Sequence, residues 1–264
     1  MEPMINIALR AARKAGENIV RASDDLDRFE VKAKGVNNFV TEVDINAEQE
    51  IIYHLRKAFP DHAFLGEESG LTGSEDAEYR WVIDPLDGTT NFIRGIPHYA
   101  VSIACLHKGK PEHAVVLDPV RQEEFTASRG RGAQLNGRRI RVSKLQNLEG
   151  ALLGTGIPFK NHCDDKLESY SKTLEVLAGQ CAGIRRAGAA SLDLAYVAAG
   201  RLDAFWEIGL SQWDIAAGVL LVREAGGLVS DIDASDNYLQ SGNIVCGNPK
   251  CFKAVLQATK PLLA

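Results

Sequence analysis

The run Trp81-Val82-Ile83-Asp84-Pro85-Leu86-Asp87-Gly88-Thr89-Thr90-Asn91-Phe92 constrains the fold more than any other stretch of the chain. A short apolar strand leads into two carboxylates three residues apart, and a Gly-Thr-Thr turn follows at once. Val and Ile favour a buried extended segment, Pro85 predicts its end, and Gly88 permits tight backbone approach. Asp84 and Asp87 are therefore expected at the carboxyl end of a strand, pointing into a crevice. Thr89 and Thr90 suit the first turn of a helix, whose free N–H groups and positive dipole end attract an anion. Hard oxygen ligands beside an anion site read as a metal-phosphate centre.

Two further acidic elements fit the same reading. Gly66-Glu67-Glu68-Ser69 follows the apolar Ala63-Phe64-Leu65, again a strand running into carboxylates. Adjacent like charges repel unless something positive lies nearby, and magnesium prefers carboxylate, carbonyl and water oxygens in near-octahedral geometry. Trp213-Asp214-Ile215-Ala216-Ala217-Gly218 opens a small-residue helix, and Asp214 reads as its N-cap.

In their order along the chain, these three elements resemble the inositol monophosphatase family. The resemblance extends from Val40-Thr41-Glu42-Val43-Asp44 to Ala225-Gly226-Gly227 and so covers essentially the whole sequence. The run from Arg185 to Gly200 and the opening Met4-Ile5-Asn6-Ile7-Ala8 are similar to the bacterial SuhB-like branch of that family. The resemblance implies an α+β fold, a layered αβαβα sandwich of the inositol monophosphatase and fructose-1,6-bisphosphatase-like type. It implies an inositol-1-monophosphatase that uses two or three Mg2+ per subunit. Glu67, Asp84 and the Leu86 carbonyl would hold one ion, and Asp84, Asp87 and Asp214 the other, with Thr89 relaying a proton, Asp44 orienting it and Glu67 close by. Gly88 and Thr89 N–H groups would bind the phosphate, with Asp87 and Asp214 also facing the substrate. Glu207 would accept polyol hydroxyls, the Gly188-Ala189-Ala190 turn would flank the ring, and Arg185 would assist. Relatives with animal-type substrates commonly carry Thr where Ala189 stands, which leaves backbone contacts alone at that point.

The resemblance further implies lithium inhibition and a homodimer. Two alternatives share the superfamily: fructose-1,6-bisphosphatase and a 3′-phosphoadenosine-type nucleotidase. A third is of another class, an accessory factor that contacts RNA polymerase or antitermination factors, with catalysis secondary.

Length and composition agree with a globular enzyme. The 264 residues are 45% hydrophobic and 25% charged, and 30 basic against 35 acidic residues leave a net charge of −5, so bulk charge does not suggest nucleic acid. The local exception is Arg129, Arg131, Arg138, Arg139, Arg141 and Lys144, read as a solvated hairpin or a contact surface for an anionic partner. No linker divides the chain, so residues 1–264 are expected to form one domain, divisible at most into closely packed halves of about 1–145 and 146–264. Charges interrupt the first twenty residues, no segment approaches a membrane span, and Cys105, Cys163, Cys181, Cys246 and Cys251 form no C-x-x-C pair. A cytoplasmic protein with reduced thiols is expected. Met4 to Val20 predicts an amphipathic helix, Asp44 the start of a second ending at Pro60, and Ala100 to about Arg141 an antiparallel sheet. Asp165 to Leu177 and Ser191 to Ala199 predict later helices before a strand Asp203–Glu207. His54, His62, His98, His107, His113 and His162 lack metal-ligand spacing.

Overall fold

The computed structural model describes residues 2–25, 31–35, 38–158 and 166–263, with 31–35 and 38–40 as backbone alone. His162, Cys163 and Asp165 lie outside the described residues. In chain order the elements are α1 (Pro3–Ser23), β1 (Val31–Gly35), β2 (Asn38–Thr41), α2 (Glu42–Ala58), β3 (Ala63–Gly66), β4 (Gly70–Thr72), β5 (Tyr79–Asp87) and α3 (Thr89–Ile93). There follow β6 (Ala100–His107), β7 (Lys110–Asp118), β8 (Glu123–Ser128), β9 (Gly132–Leu135), β10 (Arg138–Arg139), β11 (Leu152–Thr155) and α4 (Leu167–Ala178). The chain closes with β12 (Gly183–Arg185), α5 (Ala190–Ala198), β13 (Ala204–Glu207), α6 (Gln212–Glu224), β14 (Leu228–Ser230), α7 (Tyr238–Ser241), β15 (Ile244–Gly247) and α8 (Pro249–Leu263).

Two sheets carry the architecture. An eight-stranded sheet has the order β10-β9-β8-β7-β6-β5-β3-β4, antiparallel throughout except for the parallel pair β3 and β5. A five-stranded sheet has the order β12-β11-β13-β15-β14. Helices α1 and α2 pack on each other and on the outer face of the larger sheet, α5 and α6 fill the space between the sheets, and α4 and α8 cover the far face of the smaller one. The result is the αβαβα sandwich that the resemblance implies.

Each layer follows from where the apolar residues fall. Strand β6 alternates between cores: Val101, Ile103 and Cys105 join the outer one, while Ala100, Ala104 and Leu106 join the middle one. A strand buried on both faces reads as a continuous apolar run, as β6 does. Helix α1 buries Ile5, Leu9, Ala12, Gly16 and Ile19 on one stripe, whereas α6 buries every residue from Ile215 to Val222. Helices apolar all round belong in the middle of a structure, which places α6 between the sheets.

The contact between α5 and α6 needs a glycine. A Cβ built on Gly218 falls 2.4 Å from the Leu194 Cβ and cannot be accommodated without a shift of one helix. Gly218→Ala is expected to cost about 1–3 kcal/mol in urea unfolding, the usual penalty for overpacking a core. An unchanged midpoint would contradict this packing.

The basic run is the hairpin its glycines predict, with Asn136 and Gly137 at positive φ in the turn from β9 to β10. Arg129 donates to Pro111 O, and Arg131 lies 3.7 Å from Glu2. His54, His62, His107 and His113 are engaged by Glu50, Trp81, Glu78 and Ser128.

Candidate metal centre

Register explains how two carboxylates three residues apart come to face the same way. Asp84 pairs with Ser102 and Asp87 with Ala100, so β5 carries one extra residue over Pro85 and Leu86. A regular strand would send positions i and i+3 to opposite faces, and a bulge of one residue returns them to the same face. Leu86 accordingly turns into the outer core with Trp81 and Ile83, while Val82 lies in the middle core on the Asp84 side. Pro85 does not end the strand as its identity predicts. Strand β5 runs on to Asp87, and the proline, which has no N–H to give, is absorbed in the bulge. Leu86 N donates to Asp84 Oδ1 at 3.0 Å and orients that carboxylate.

The third carboxylate arrives from α6. Ser102, the register partner of Asp84, donates its Oγ to Trp213 O at 3.2 Å and seats the first turn of α6 on the large sheet. Asp214 is not the N-cap predicted from the sequence: Ser211 holds that position, and Asp214 is at N3, where its Oδ2 accepts Ser211 N at 2.6 Å. Oxygens of Asp84, Asp87 and Asp214 all lie within 4.8 Å of one another.

All three groups titrate above the ordinary carboxyl range. For Asp84 the largest cause is burial, followed by the charges of Glu67, Asp87 and Asp214. Burial also leads for Asp214, followed by the charge of Asp87. Burial raises Asp87 too, but only to about 6, because the Ser191 hydroxyl and N–H and the Ala190 N–H donate to it. Buried, mutually repelling oxygens are stable as anions only with a cation among them, and three to four carboxylates suit a hard divalent ion. The donor set therefore fits magnesium.

Glu67 flanks this trio. Strands β3 and β5 run parallel with Gly66 beside Ile83, so Glu67 follows on the edge next to Asp84. Glu67 lies outside the 4.8 Å group, yet its charge raises Asp84, Asp87 and Asp214.

Thr89 and Asp44 form a second arrangement beside the acids. Helix α2 begins at Glu42 with Thr41 as N-cap, so Asp44 is not its first residue but its N3 position. Asp44 Oδ2 accepts Thr41 N and Oγ1 at 2.8 and 2.5 Å, while Oδ1 accepts Thr89 Oγ1 at 2.9 Å. Capping and contact with Thr89 thus use different oxygens. Burial raises the Asp44 carboxyl against the lowering effect of these bonds. Thr89 Oγ1 also lies 3.0 Å from Leu86 O, placing the hydroxyl at the carbonyl that the family resemblance implies as a ligand. Gly88, at φ 95°, is the N-cap of α3, and a Cβ there would fall 3.0 Å from His98 O and 3.2 Å from Gly188 O.

Glu207 ends β13 in a buried position, its carboxyl raised first by burial and then by Asp193 and Asp214, with Arg186 opposing. Gly156 makes room for it, since a Cβ there would sit 1.7 Å from Glu207 Oε1. Arg186, not Arg185, is the cation whose charge reaches Glu207; both arginines are exposed, and Arg185 donates to Ile184 O at 3.2 Å. Gly188 lies against the turn at Gly88, whereas the Ala190 N–H is directed at Asp87.

Three residues that sequence reasoning missed tie the large sheet and α3 to α6, α5 and the segment after β12 at this point. Ser102 holds α6, Ser191 holds Asp87, and Asn91 Nδ2 donates to His98 O at 2.8 Å and Ala187 O at 2.9 Å. A polar residue inside the apolar strand Val101-Ser102-Ile103 was the available signal, because a buried hydroxyl requires a partner. A groove of about 750 Å³ between α1 and β7 to β9 lies apart from the acids, and its Arg13 and Glu124 pair with each other at 2.6 Å.

The family model for "Inositol monophosphatase family" matches residues 1–262. The chain belongs to the inositol monophosphatase family. Within it, the chain is 66% identical over 265 aligned positions to "Nus factor SuhB" of Pseudomonas aeruginosa, covering 100% of this chain and 98% of that protein. Its structure is similar to that of the extragenic suppressor protein suhB from Bartonella henselae, with a TM-score of 0.95, 43% identity, and coverage of 98% and 99% of the two chains. An inositol monophosphatase from Anabaena aligns with a TM-score of 0.87 at 36% identity, over 98% of this chain and 95% of the other. Family membership supports a metal-dependent phosphatase, and the acidic trio is a group of side chains that could hold a metal ion.

Proposed function

We propose that the protein hydrolyses inositol monophosphate and related small polyol phosphates with Mg2+ as cofactor. The observation that carries this reading is the convergence of Asp84, Asp87 and Asp214 within 4.8 Å beside the hydrogen-bonded pair Thr89 and Asp44. Glu67, Asp84 and the Leu86 carbonyl would hold one ion and Asp84, Asp87 and Asp214 another, two or three per subunit. Bound there, the ions supply charge neutralisation of the phosphate and acidify a water.

The chain's own groups do the rest. Thr89 Oγ1 donates to Asp44 Oδ1, so a proton taken by the hydroxyl from water is matched by one passed to Asp44. Burial raises the Asp44 carboxyl, which makes it a better acceptor than an exposed aspartate. The first-turn N–H groups of α3 have no intrahelical acceptor and are available to phosphate oxygens. Glu207 accepts polyol hydroxyls, with Gly188 at the ring. The trio draws on β5 and α6, so neither half of the chain holds it alone, and residues 1–264 act as one catalytic unit.

Thr89→Ala is expected to lower kcat by about 10²–10⁴-fold, the range for loss of a positioned proton-transfer group, while Thr89→Ser retains most of it. Equal activity in both variants would exclude the relay. The substrate reading is tested by turnover of inositol 1-phosphate, fructose 1,6-bisphosphate and adenosine 3′,5′-bisphosphate under saturating magnesium. Preference for the first supports it, and a strong preference for either of the others overturns it. A homodimer and lithium inhibition are part of the same proposal; a single 28.7 kDa species in sedimentation, or rates unaltered in high lithium, would refute them respectively.

A second reading is favoured by the name "Nus factor SuhB" borne by relatives at 66% and 55% identity. In it the protein contacts RNA polymerase or antitermination factors, independently of catalysis, in the cytoplasm. No helix among the described residues is long and apolar enough to cross a membrane. Capture of RNA polymerase by both the wild type and Asp87→Asn supports a separate role; capture by neither removes it.

A further inference from the structure

Four residues after Asp44, on the same side of α2, Glu48 is 2% exposed and reaches into the hairpin that joins β3 to β4. Gly66 pairs with Gly70 across that hairpin, leaving Glu67, Glu68 and Ser69 as its loop. Glu48 Oε2 accepts Glu68 N and Oε1 accepts Ser69 N, each at 2.9 Å. The preceding amide, Glu67 N, donates to Ile83 O of β5 at 3.1 Å. Three successive N–H groups are thus fixed, the first to the strand that bears Asp84 and the next two to one buried carboxylate. Charge-assisted bonds to backbone N–H groups are among the stronger hydrogen bonds, and here both oxygens are used. Gly66 completes the fit, since a Cβ there would lie 2.3 Å from Glu48 Oε2.

We propose that Glu48 is a positioning residue that locks the main chain directly after Glu67, whose own N–H is held by Ile83 O, and so fixes the backbone from which the Glu67 side chain meets the acid trio. With Asp44 on Thr89, the first turns of α2 then hold both acidic loops, one by each carboxylate. The inference rests on the reading of Glu67 as a metal ligand given above. Residues that orient a metal ligand typically account for about 10–100-fold in metal affinity.

Calorimetric titration of Mn2+ into the full-length protein tests this. Glu48→Gln keeps the size but presents an NH2 group to one of the two N–H donors; Glu48→Asp keeps the charge but is a methylene short. Gly66→Ala leaves Glu48 intact and displaces its carboxylate. All three are expected to weaken Mn2+ binding by about tenfold, and Glu48→Gln is expected to have no further effect once Glu67→Ala is present, because the two act through one ligand. Wild-type affinity in Glu48→Asp and Gly66→Ala would show that charge alone matters and overturn the proposal, as would additive losses in the double variant. If Glu48→Gln fails to fold, the other two variants decide. Wild-type protein that binds Mn2+ but hydrolyses no phosphate monoester would sink the proposed function and leave the role of Glu48 standing; wild type that binds no Mn2+ would sink both.

Discussion

Asp84→Asn is expected to abolish hydrolysis to within about a thousandth of the wild-type rate while raising the melting temperature of the metal-free protein. Asp84 is 1% exposed and surrounded by Glu67, Asp87 and Asp214, whose charges add to burial in raising its carboxyl. An amide is nearly isosteric, and its oxygen can keep the bond from Leu86 N. The substitution removes the cost of ionising a buried carboxyl among other acids, a cost that the bond from Leu86 N offsets only in part. A gain of a few degrees corresponds to about 1 kcal/mol in a chain of this size. The same charge is what would bridge two cations, whose stabilisation of the transition state is worth several kcal/mol, at about 1.4 kcal/mol per tenfold in rate. Loss of activity without stabilisation would imply that the acids are not in repulsion; stabilisation with full activity would remove Asp84 from the mechanism.

Magnesium should stabilise the protein strongly at pH 8 and little at pH 5. Asp87 titrates near 6 in the folded metal-free chain, and Asp84 and Asp214 are raised in the same direction. An acid whose folded pKa lies above its unfolded value of about 4 holds its proton in the folded state while the unfolded chain releases it. Metal-free stability from these groups is therefore present on the acid side and falls as pH rises through about 6. Metal competes with those protons and gains affinity over the same interval. At a hundredfold excess over Kd the expected gain is about 2.7 kcal/mol. Thermal melts with and without Mg2+ across this range give the answer directly, and a gain independent of pH would place the metal away from the raised carboxyls.

Local signals in the sequence carried much of this site. The strand before Asp84, the strand before Glu67, and the helices at α1, α2 and α6 follow from apolar periodicity, and the five layers follow from family resemblance. What periodicity misses is set by pairing between distant segments. Pro85 reads as a strand end because its missing N–H is a local fact, whereas the bulge that accommodates it depends on β6 lying alongside. Asp44 and Asp214 read as helix starts, but each is an N3 residue bonded back to Thr41 or Ser211, which leaves an oxygen of Asp44 for Thr89. Ser191, Asn91 and Glu48 make bonds across 104, 96 and 20 positions, distances at which spacing in the sequence carries no information. Arg185 and Arg186 are indistinguishable in sequence, and the fold alone decides which one acts on Glu207.

Anomalous diffraction from crystals grown in Mn2+ examines the metal centre itself. Peaks between Asp84, Asp87 and Asp214, with one in reach of Glu67 and the Leu86 carbonyl, are the expected result. Saturating Mn2+ that binds elsewhere, or leaves these four carboxylates without an ion, would contradict the assignment of the site.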